Sequence, residues 1–201
     1  MKLYHSVTSP YVRKIMVQIA ECGIADIDLV AASGTPVAPD DGVIARNPLG
    51  KIPALEREDG PTLYDSRVIT QFLDDMSGAG LYPTGPRRWD TLVLEATADG
   101  ILDAAILIVY ETRVRPEEKR FPAWVEGQWA KIDRSLDVLE NRWIDHLNGP
   151  FDMAQIAVGC ALGYLDFRHG SRNWRKGRPK LAAWEAAFAQ RPSMLATVPQ
   201  A

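Results

Sequence analysis

A short segment rich in glycine and proline, residues 79–86 (AGLYPTGP), separates two parts of the sequence that have different hydrophobic patterns. Before it, short apolar runs alternate with amphipathic stretches, which predicts strands and helices in the order βαβαββα. After it, no convincing strand is present, and apolar residues recur at spacings of three and four, as they do in packed helices. The sequence therefore predicts an α/β domain over residues 1–78, a linker over 79–86 and an all-helical bundle domain over 87–201.

The α/β part predicts a four-stranded mixed sheet covered by helices. The strand candidates are residues 1–5, 27–30, 52–55 and 62–64, of which the last two form an antiparallel hairpin. In the helical part, the clearest apolar seam runs through Val125, Trp129, Ile132, Leu136, Leu139 and Trp143. A further helix is predicted to begin at Asp152, which fits a capping box with Gln155.

Composition and charge exclude several classes of protein. The chain is 46% hydrophobic and 24% charged with a formal net charge of −3, so no nucleic-acid partner is expected. No apolar run reaches membrane-spanning length, and the N-terminus lacks the features of a secretory signal, so no membrane partner is expected. Cys22 and Cys160 show neither a CxxC nor a metal-ligand spacing, which favours a reducing compartment and a cytoplasmic protein.

The dipeptide Ser9-Pro10 has two interpretations. Serine is a good helix N-cap and proline suits the first helical position, so helix initiation alone explains both residues. The helix also follows the first strand of a small sheet, and its N-terminus combines free amides with the positive end of the helix dipole. Such a position stabilises an anion, for example a thiolate, to which the Ser9 hydroxyl would donate.

The dipeptides Ile52-Pro53 and Asp65-Ser66 also have two interpretations each, one purely structural and one as part of a binding site. Proline cannot donate to a strand ladder, so Pro53 is either a plain edge-strand residue or a cis-proline that leaves the backbone of Ile52 unpaired. Asp65 or Ser66 would cap the next helix, or would hold the charged head of a ligand. If these segments converge with Ser9, they form a groove for a small, extended, zwitterionic peptide that carries a thiol.

The segments SPYVRKI, NPLGKIPAL and LYDSRVI, followed by DMAQIAVGCALGYLDF and FAQRPS, resemble the cytosolic glutathione S-transferases, in particular bacterial members of the serine type or of no assigned class. The resemblance covers essentially the whole chain in the family's order. It implies a thioredoxin-like N-terminal domain, an all-helical C-terminal domain, glutathione as substrate, a detoxifying transferase activity and a homodimer.

The resemblance also implies roles for individual residues. Ser9 matches the hydroxyl that donates to the glutathione sulfur, and Pro53 matches the family's cis-proline. Ile52 matches the residue that pairs with the cysteinyl backbone, and the Asp65-Ser66 pair matches the residues that bind the γ-glutamyl group. Lys51 matches a position near the glycine carboxylate. Asp99 or Asp103 matches an acidic position that reaches the glutathione of the other subunit in some members.

Three alternatives to Ser9 stay open, and disulfide chemistry is disfavoured. Tyr4 overlaps the tyrosine of other classes, Thr8 lies one residue from Ser9, and a backbone amide is a further candidate. The segment SPYV has no cysteine where thiol-active relatives carry one, which disfavours disulfide reduction. No spacing predicts a metal site, and the three histidines give no support for a Ser/His/Asp triad.

The electrophile is expected near Tyr11 and one face of a helix predicted over residues 89–115, with Ile106, Tyr110 and Arg113 on that face. The alternative is that Ile106 and Tyr110 belong to the bundle core. The basic run over residues 168–180 (RHGSRNWRKGRPK) is interpreted as a solvated loop. The predicted function is conjugation of glutathione to small hydrophobic electrophiles. The alternative is a glutathione-binding or protein-interaction module without turnover.

Overall fold

The computed structural model describes residues 1–200, which form two compact units. The first comprises Met1–Leu81 and the segment from Pro192 onward, and the second comprises Tyr82–Arg191. The boundary lies within the predicted linker, and each side of it is anchored to its own unit. The Leu81 amide donates to Asp74 Oδ1 at 2.7 Å, and the Tyr82 hydroxyl donates to Glu95 Oε2 at 2.8 Å.

The first unit contains a small mixed sheet with strand order β2-β1-β3. Strand β1 pairs parallel with β2 and antiparallel with β3. Alternate side chains of β1 enter two apolar clusters, because successive strand residues point to opposite faces of the sheet. Leu3 packs with Ile15, Leu55, Ile69 and Leu73, whereas Tyr4 packs on the other face. The elements are β1 (Lys2–His5), α1 (Pro10–Cys22), β2 (Asp28–Ala31), α2 (Asp41–Ile44), β3 (Ala54–Glu56) and α3 (Ser66–Ser77).

The structure confirms the α/β class but corrects the predicted hairpin. The segment 62–64 contributes one isolated bridge, between Leu55 and Leu63, and the described residues contain three strands rather than the four predicted. Pro61 has no N–H to donate, and Asp65 caps α3 two residues after Leu63, so the segment has room for a single bridge. Strand β3 begins at Ala54, two residues later than predicted.

The second unit is all-helical, as predicted. Helix α4 packs against α5 and α7, and α5 continues through a π-helical segment, Leu139–Trp143, into α6. The predicted seam is buried at Trp129, Ile132, Leu136 and Leu139 and half-buried at its two ends. The helices are α4 (Pro86–Arg113), α5 (Pro122–Val138), α6 (Ile144–Leu147), α7 (Met153–His169) and α8 (Pro179–Phe188), with 3₁₀ turns at Glu117–Lys119 and Gly170–Arg172. None of the helices in residues 1–200 is long and apolar enough to cross a membrane.

Helix α7 begins with the predicted capping box. Asp152 Oδ1 accepts from the Ala154 amide at 2.9 Å, and the Asp152 amide donates to Gln155 Oε1 at 2.8 Å. Both interactions satisfy backbone donors that the helix itself leaves unpaired. The capping box is therefore a structural element of the second unit.

The C-terminal helix α9 (Pro192–Ala196) groups with the first unit, so the second unit differs from the predicted helical domain, 87–201, at its end. Its contacts are to α1. Arg13 donates to the carbonyl of Met194 at 3.1 Å and to Thr197 Oγ1 at 3.4 Å, and Ser193 hydrogen-bonds Glu21. Periodicity identifies a helix but does not show which neighbour covers it.

The basic run 168–180 contains the predicted connection between two helices, but it is only partly solvated. Arg168 belongs to the last turn of α7, Trp174 is buried, and three arginines pair with acidic residues of the second unit. These ion pairs join Arg172 to Glu126, Arg175 to Asp166 and Glu185, and Arg178 to Asp133 and Asp137. Three arginines of the run are thus paired, with carboxylates between 9 and 46 residues away in the sequence.

Candidate active site

Three segments of the first unit converge at one end of the sheet. Tyr4 in β1 lies opposite Ala54 in β3, and the strands are antiparallel, so the chain before β3 lies beside the chain that leaves β1 toward Ser9. The antiparallel bridge between Leu55 and Leu63 brings the start of α3 to the same end. The register therefore places Ser9, Ile52 and the Asp65-Ser66 pair around one region.

Ser9 is the N-cap of α1, with an extended backbone at φ −83° and ψ 119°. Its Oγ accepts from the Val12 amide at 3.3 Å, and its carbonyl accepts from the Arg13 amide at 3.0 Å. The hydroxyl is half-buried, and its own proton has no acceptor within residues 1–200. A hydroxyl that accepts from the helix still has one hydrogen to donate. The capping interpretation and the donor interpretation are therefore compatible.

The hydroxyls of Tyr4 and Thr8 are engaged elsewhere. Tyr4 is buried, and its hydroxyl donates to Glu56 Oε2 at 3.0 Å. Hydrogen bonds from Arg46, Tyr4 and Lys2 lower the pKa of Glu56. Its carboxylate therefore stays charged and continues to accept the hydrogen bond from the Tyr4 hydroxyl. Thr8 Oγ1 lies 3.1 Å from Ser6 Oγ, with which it shares a hydrogen bond. The Tyr4 hydroxyl hydrogen is therefore already donated, whereas Thr8 keeps its hydroxyl hydrogen if Ser6 is the donor, so Thr8 stays an alternative to Ser9.

Ile52 presents an unpaired backbone at the start of the β3 segment. The Ile52–Pro53 peptide bond is cis, and neither the amide nor the carbonyl of Ile52 hydrogen-bonds within residues 1–200. The preceding loop is held by the buried Asn47, whose Nδ2 donates to the Lys51 carbonyl at 2.8 Å. Asn47 Oδ1 accepts from the Leu49 amide at 3.0 Å. This supporting role of Asn47 was not predicted, although its place in NPLG is a turn signal.

The Asp65-Ser66 pair begins α3. Asp65 is the N-cap, and its carboxylate accepts from the Arg67 amide at 3.0 Å and from the Arg67 guanidinium at 3.1 Å. The Asp65 side chain remains more than half exposed. Ser66 is only 3% exposed, and its hydroxyl has no hydrogen-bond partner among the residues the structure describes. The Tyr64–Asp65 peptide bond is also cis.

The remaining predicted contacts are distributed over both units. Lys51 is exposed and Tyr11 is half-buried in the first turn of α1. On α4, Ile106 and Tyr110 are half-buried and Arg113 is exposed, so these residues are not enclosed core residues. Of the two acidic positions on this helix, Asp99 is buried and Asp103 is exposed.

Two residues near the α4 positions were not predicted as functional. Tyr164 and Arg168 lie on α7, which packs against α4, and Tyr164 lies within electrostatic range of Tyr110 and Arg113. Sequence periodicity assigned Tyr164 to a buried helix face and Arg168 to a loop. No group of three or more potential metal-ligating residues occurs within residues 1–200.

Comparison with known proteins agrees with this architecture. The family model for the glutathione S-transferase N-terminal domain matches residues 8–76, and the model for the C-terminal domain matches residues 122–187. The uncharacterized GST-like protein YibF of Escherichia coli K12 is 36% identical over 99% of this chain and 98% of that protein. A crystal structure of a glutathione transferase family member from Pseudomonas fluorescens Pf-5, with bound glutathione, is 50% identical. It covers 100% of this chain and 99% of that chain, with a TM-score of 0.97.

A second such structure from Pseudomonas fluorescens Pf-5 contains S-(propanoic acid)-glutathione. It is 48% identical and covers 100% of both chains, with a TM-score of 0.92. The chain described here belongs to the glutathione S-transferase family. The fold and enzyme class expected from the sequence are thereby confirmed: a thioredoxin-like unit with a helical unit, in a family of glutathione-dependent transferases.

Proposed function

We propose that this protein conjugates glutathione to small electrophiles, with the Ser9 hydroxyl donating to the glutathione sulfur. The observation that carries the proposal is the position of Ser9, which caps α1 and retains a hydroxyl hydrogen for a ligand. A thiolate at this position would receive that hydrogen bond together with the favourable field of the helix N-terminus. Ser9 acts as a donor and not as a nucleophile.

The chemistry consists of one bond-forming step. The thiol loses its proton to water, and the thiolate forms a C–S bond with an electrophilic carbon. In a displacement, the leaving group departs with the electron pair of the bond that breaks. In an addition to an α,β-unsaturated acid, sulfur attacks the β-carbon, the π electrons move to the α-carbon, and water supplies the proton that this carbon takes up.

In the proposed groove, each part of the glutathione tripeptide has its own contact. The free amide and carbonyl of Ile52 would pair with the cysteinyl backbone, as an added strand pairs with a sheet edge. Pro53 begins the buried segment behind that edge. Asp65 would bind the γ-glutamyl ammonium, Ser66 would donate to the γ-glutamyl carboxylate, and Lys51 would approach the glycine carboxylate.

The similar proteins support glutathione and its S-substituted forms as ligands. The Pseudomonas fluorescens structures contain glutathione and S-(propanoic acid)-glutathione, and the latter carries a carboxylate on its sulfur substituent. On the helical unit, Ile106, Tyr110 and Arg113 are the proposed contacts of the electrophile. On the first unit, Tyr11 is proposed for the same role. We further propose a cytoplasmic homodimer that acts in detoxification, in agreement with its free cysteines.

Two measurements test the function. The protein should be retained on immobilised glutathione and should be eluted by free glutathione. It should also conjugate 1-chloro-2,4-dinitrobenzene or another member of a broad electrophile panel. Retention without any turnover would instead identify a glutathione-binding or interaction module. Absence of both retention and turnover would reject the proposed groove.

We expect the replacement Asp65→Asn to weaken glutathione binding by roughly ten-fold or more, because it removes the charge that attracts the γ-glutamyl ammonium. Asparagine caps helices about as well as aspartate, so α3 should keep its stability. Isothermal titration calorimetry measures the dissociation constant. The value of kcat at saturating glutathione should change little.

Asp40→Asn is the matched control for this replacement. Asp40 is the N-cap of α2 in the same unit and accepts from the amides of Val43 and Ser33, both at 3.2 Å. Its replacement should leave glutathione affinity unchanged. Equal affinities for wild type and Asp65→Asn would show that Asp65 is only a helix cap.

A further inference from the structure

Helix α9 is held to α1 at two points within the first unit. Near the start of α1, the Arg13 guanidinium donates from Nη2 to the Met194 carbonyl at 3.1 Å and from Nε to Thr197 Oγ1 at 3.4 Å. Near the end of α1, Ser193 hydrogen-bonds Glu21. About two helical turns separate Arg13 from Glu21. The C-terminal segment therefore contacts α1 close to both of its ends.

The contacts with α9 are buried and order a segment that has little stability of its own. Helix α9 has five residues, too few for a helix that is stable by itself. Arg13 is 8% exposed, and Met194 is 2% exposed. Thr197 Oγ1 donates to the Ser193 carbonyl at 2.8 Å, so the acceptor of the Arg13 Nε is itself fixed by α9. A guanidinium is buried at low cost only when it has hydrogen-bond partners, so Arg13 and α9 hold each other in place.

Arg13 also lies one helical turn after Ser9. Its amide donates to the Ser9 carbonyl at 3.0 Å, which closes the first turn of α1. Helical side chains lean toward the helix N-terminus, so the Arg13 side chain lies over the turn that begins at Ser9. Helix ends open more readily than helix interiors, because their backbone groups have fewer partners. A guanidinium anchored to α9 therefore restrains the turn that carries the Ser9 hydroxyl.

We propose that Arg13 is a positioning residue for the transferase reaction: bound to α9, it holds the first turn of α1 so that the Ser9 hydroxyl stays directed at the glutathione sulfur. The inference rests on the proposed function for the role of Ser9. It makes thiol activation depend on the C-terminal segment, which lies far from Ser9 in the sequence. The effect acts through the position of the hydroxyl and not through the charge of Arg13 at the sulfur.

The test measures the pKa of the bound glutathione thiol from the ultraviolet absorbance of the thiolate across pH. Arg13→Met removes both hydrogen bonds to α9 and should raise this pKa by about 0.5 unit or more, a part of the one to two units expected from the Ser9 hydroxyl. Arg13→Lys keeps a donor for the Met194 carbonyl and should restore most of the difference. A wild-type value in Arg13→Met would overturn the proposal.

A double-mutant cycle shows whether Arg13 acts through Ser9. The hydroxyl is absent in Ser9→Ala, so adding Arg13→Met to that variant should change the pKa of the bound thiol by less than about 0.2 unit. An equal rise in both backgrounds would mean that the charge of Arg13 acts on the sulfur directly. That result would refute the positioning role.

The matched control is Arg57→Met. Arg57 also donates to a backbone carbonyl of the first unit, that of Pro61, at 3.1 Å. It follows β3 at the end of the sheet away from Ser9, because β3 runs antiparallel to β1. Its replacement should leave the thiol pKa unchanged. If Arg13→Met does not fold, Thr197→Val removes the acceptor of the Arg13 Nε and should raise the pKa by about 0.3 unit. No change in Thr197→Val would then reject the proposal.

Hydrogen exchange in the protein without ligand separates this inference from the proposed function. The Val12 amide, which donates to Ser9 Oγ at 3.3 Å, should exchange about three-fold or more faster in Arg13→Met than in wild type. Equal exchange rates would overturn the positioning role, even in an active transferase. Faster exchange in Arg13→Met, with a wild type that does not lower the thiol pKa, would instead reject the proposed function and leave Arg13 only a structural contact.

Discussion

Replacement of Ser9 by alanine is expected to lower kcat at pH 7 by roughly eight- to twenty-five-fold while the dissociation constant of glutathione changes little. A charge-assisted hydrogen bond contributes about 1.5–3 kcal/mol, and one pKa unit corresponds to about 1.4 kcal/mol. Loss of the hydroxyl should therefore raise the pKa of the bound thiol by about one to two units. With a pKa near 8.5 for the thiol in the variant, the thiolate fraction at pH 7 falls by roughly eight- to twenty-five-fold, because in wild type much of the thiol is already ionised.

The dependence of activity on pH shows in which direction Ser9 shifts the pKa of the bound thiol. Ser9 stabilises the charged form, so the thiol pKa is lower in wild type than in Ser9→Ala. Activity should rise with pH in both proteins, and the rise in the variant should occur about one to two pH units higher. The two rates should converge in alkaline solution. The measurements are kcat at saturating glutathione across pH and the ultraviolet absorbance of the bound thiolate.

Controls must separate the catalytic hydroxyl from the helix cap, because loss of a serine cap costs about 1 kcal/mol of stability. Ser9→Thr keeps both functions and should retain substantial activity, whereas Ser9→Gly removes the hydroxyl at a cost of only a few tenths of a kcal/mol. Tyr4→Phe and Thr8→Val should have turnover near that of wild type. Unchanged kcat in Ser9→Ala, with a large loss in Tyr4→Phe or Thr8→Val, would assign the hydroxyl to that residue instead.

The parts of the site that the sequence predicted depend on short-range signals. Ser9 before Pro10, Asp65 before Ser66 and Asp152 before its helix each follow from capping chemistry within one turn. Pro53 likewise predicts a break in the strand from local sequence, because proline has no N–H to donate to the neighbouring strand. The structure adds that the backbone amide and carbonyl of Ile52 remain unpaired and that Ser66 is 3% exposed.

The parts that were not predicted depend on which distant segments pack together. Leu63 pairs with Leu55 through a single bridge, although its residue types also fit a longer strand. Helix α9 groups with the first unit, where Arg13 donates to the Met194 carbonyl in the helix and to the Thr197 hydroxyl just after it. Helix α7 lies against α4, and no local pattern shows that packing. The ion pairs of Arg172 with Glu126 and of Arg178 with Asp133 have the same origin, because these partners lie more than 40 residues apart in the sequence.

Replacement of Asp152 by alanine is expected to lower the free energy of unfolding by about 3–5 kcal/mol, because it leaves buried polar partners without an acceptor. The Asp152 side chain is 2% exposed. Its carboxylate lies 2.8 Å from an Arg87 nitrogen and 2.9 Å from His146 Nε2, and Thr91 donates to it at 3.1 Å. The helix cap adds about 1 kcal/mol to the loss. Urea unfolding followed by circular dichroism measures the change.

Asp145→Ala is the matched control, since Asp145 is exposed in the neighbouring α6 and belongs to no ion pair within residues 1–200. It should change the free energy of unfolding by less than about 0.5 kcal/mol. Asp152→Asn should fall between the two, because asparagine keeps the cap but removes the charge opposite Arg87. A loss of about 1 kcal/mol or less in Asp152→Ala would mean that the carboxylate acts only as a helix cap and that water replaces it for Arg87 and His146.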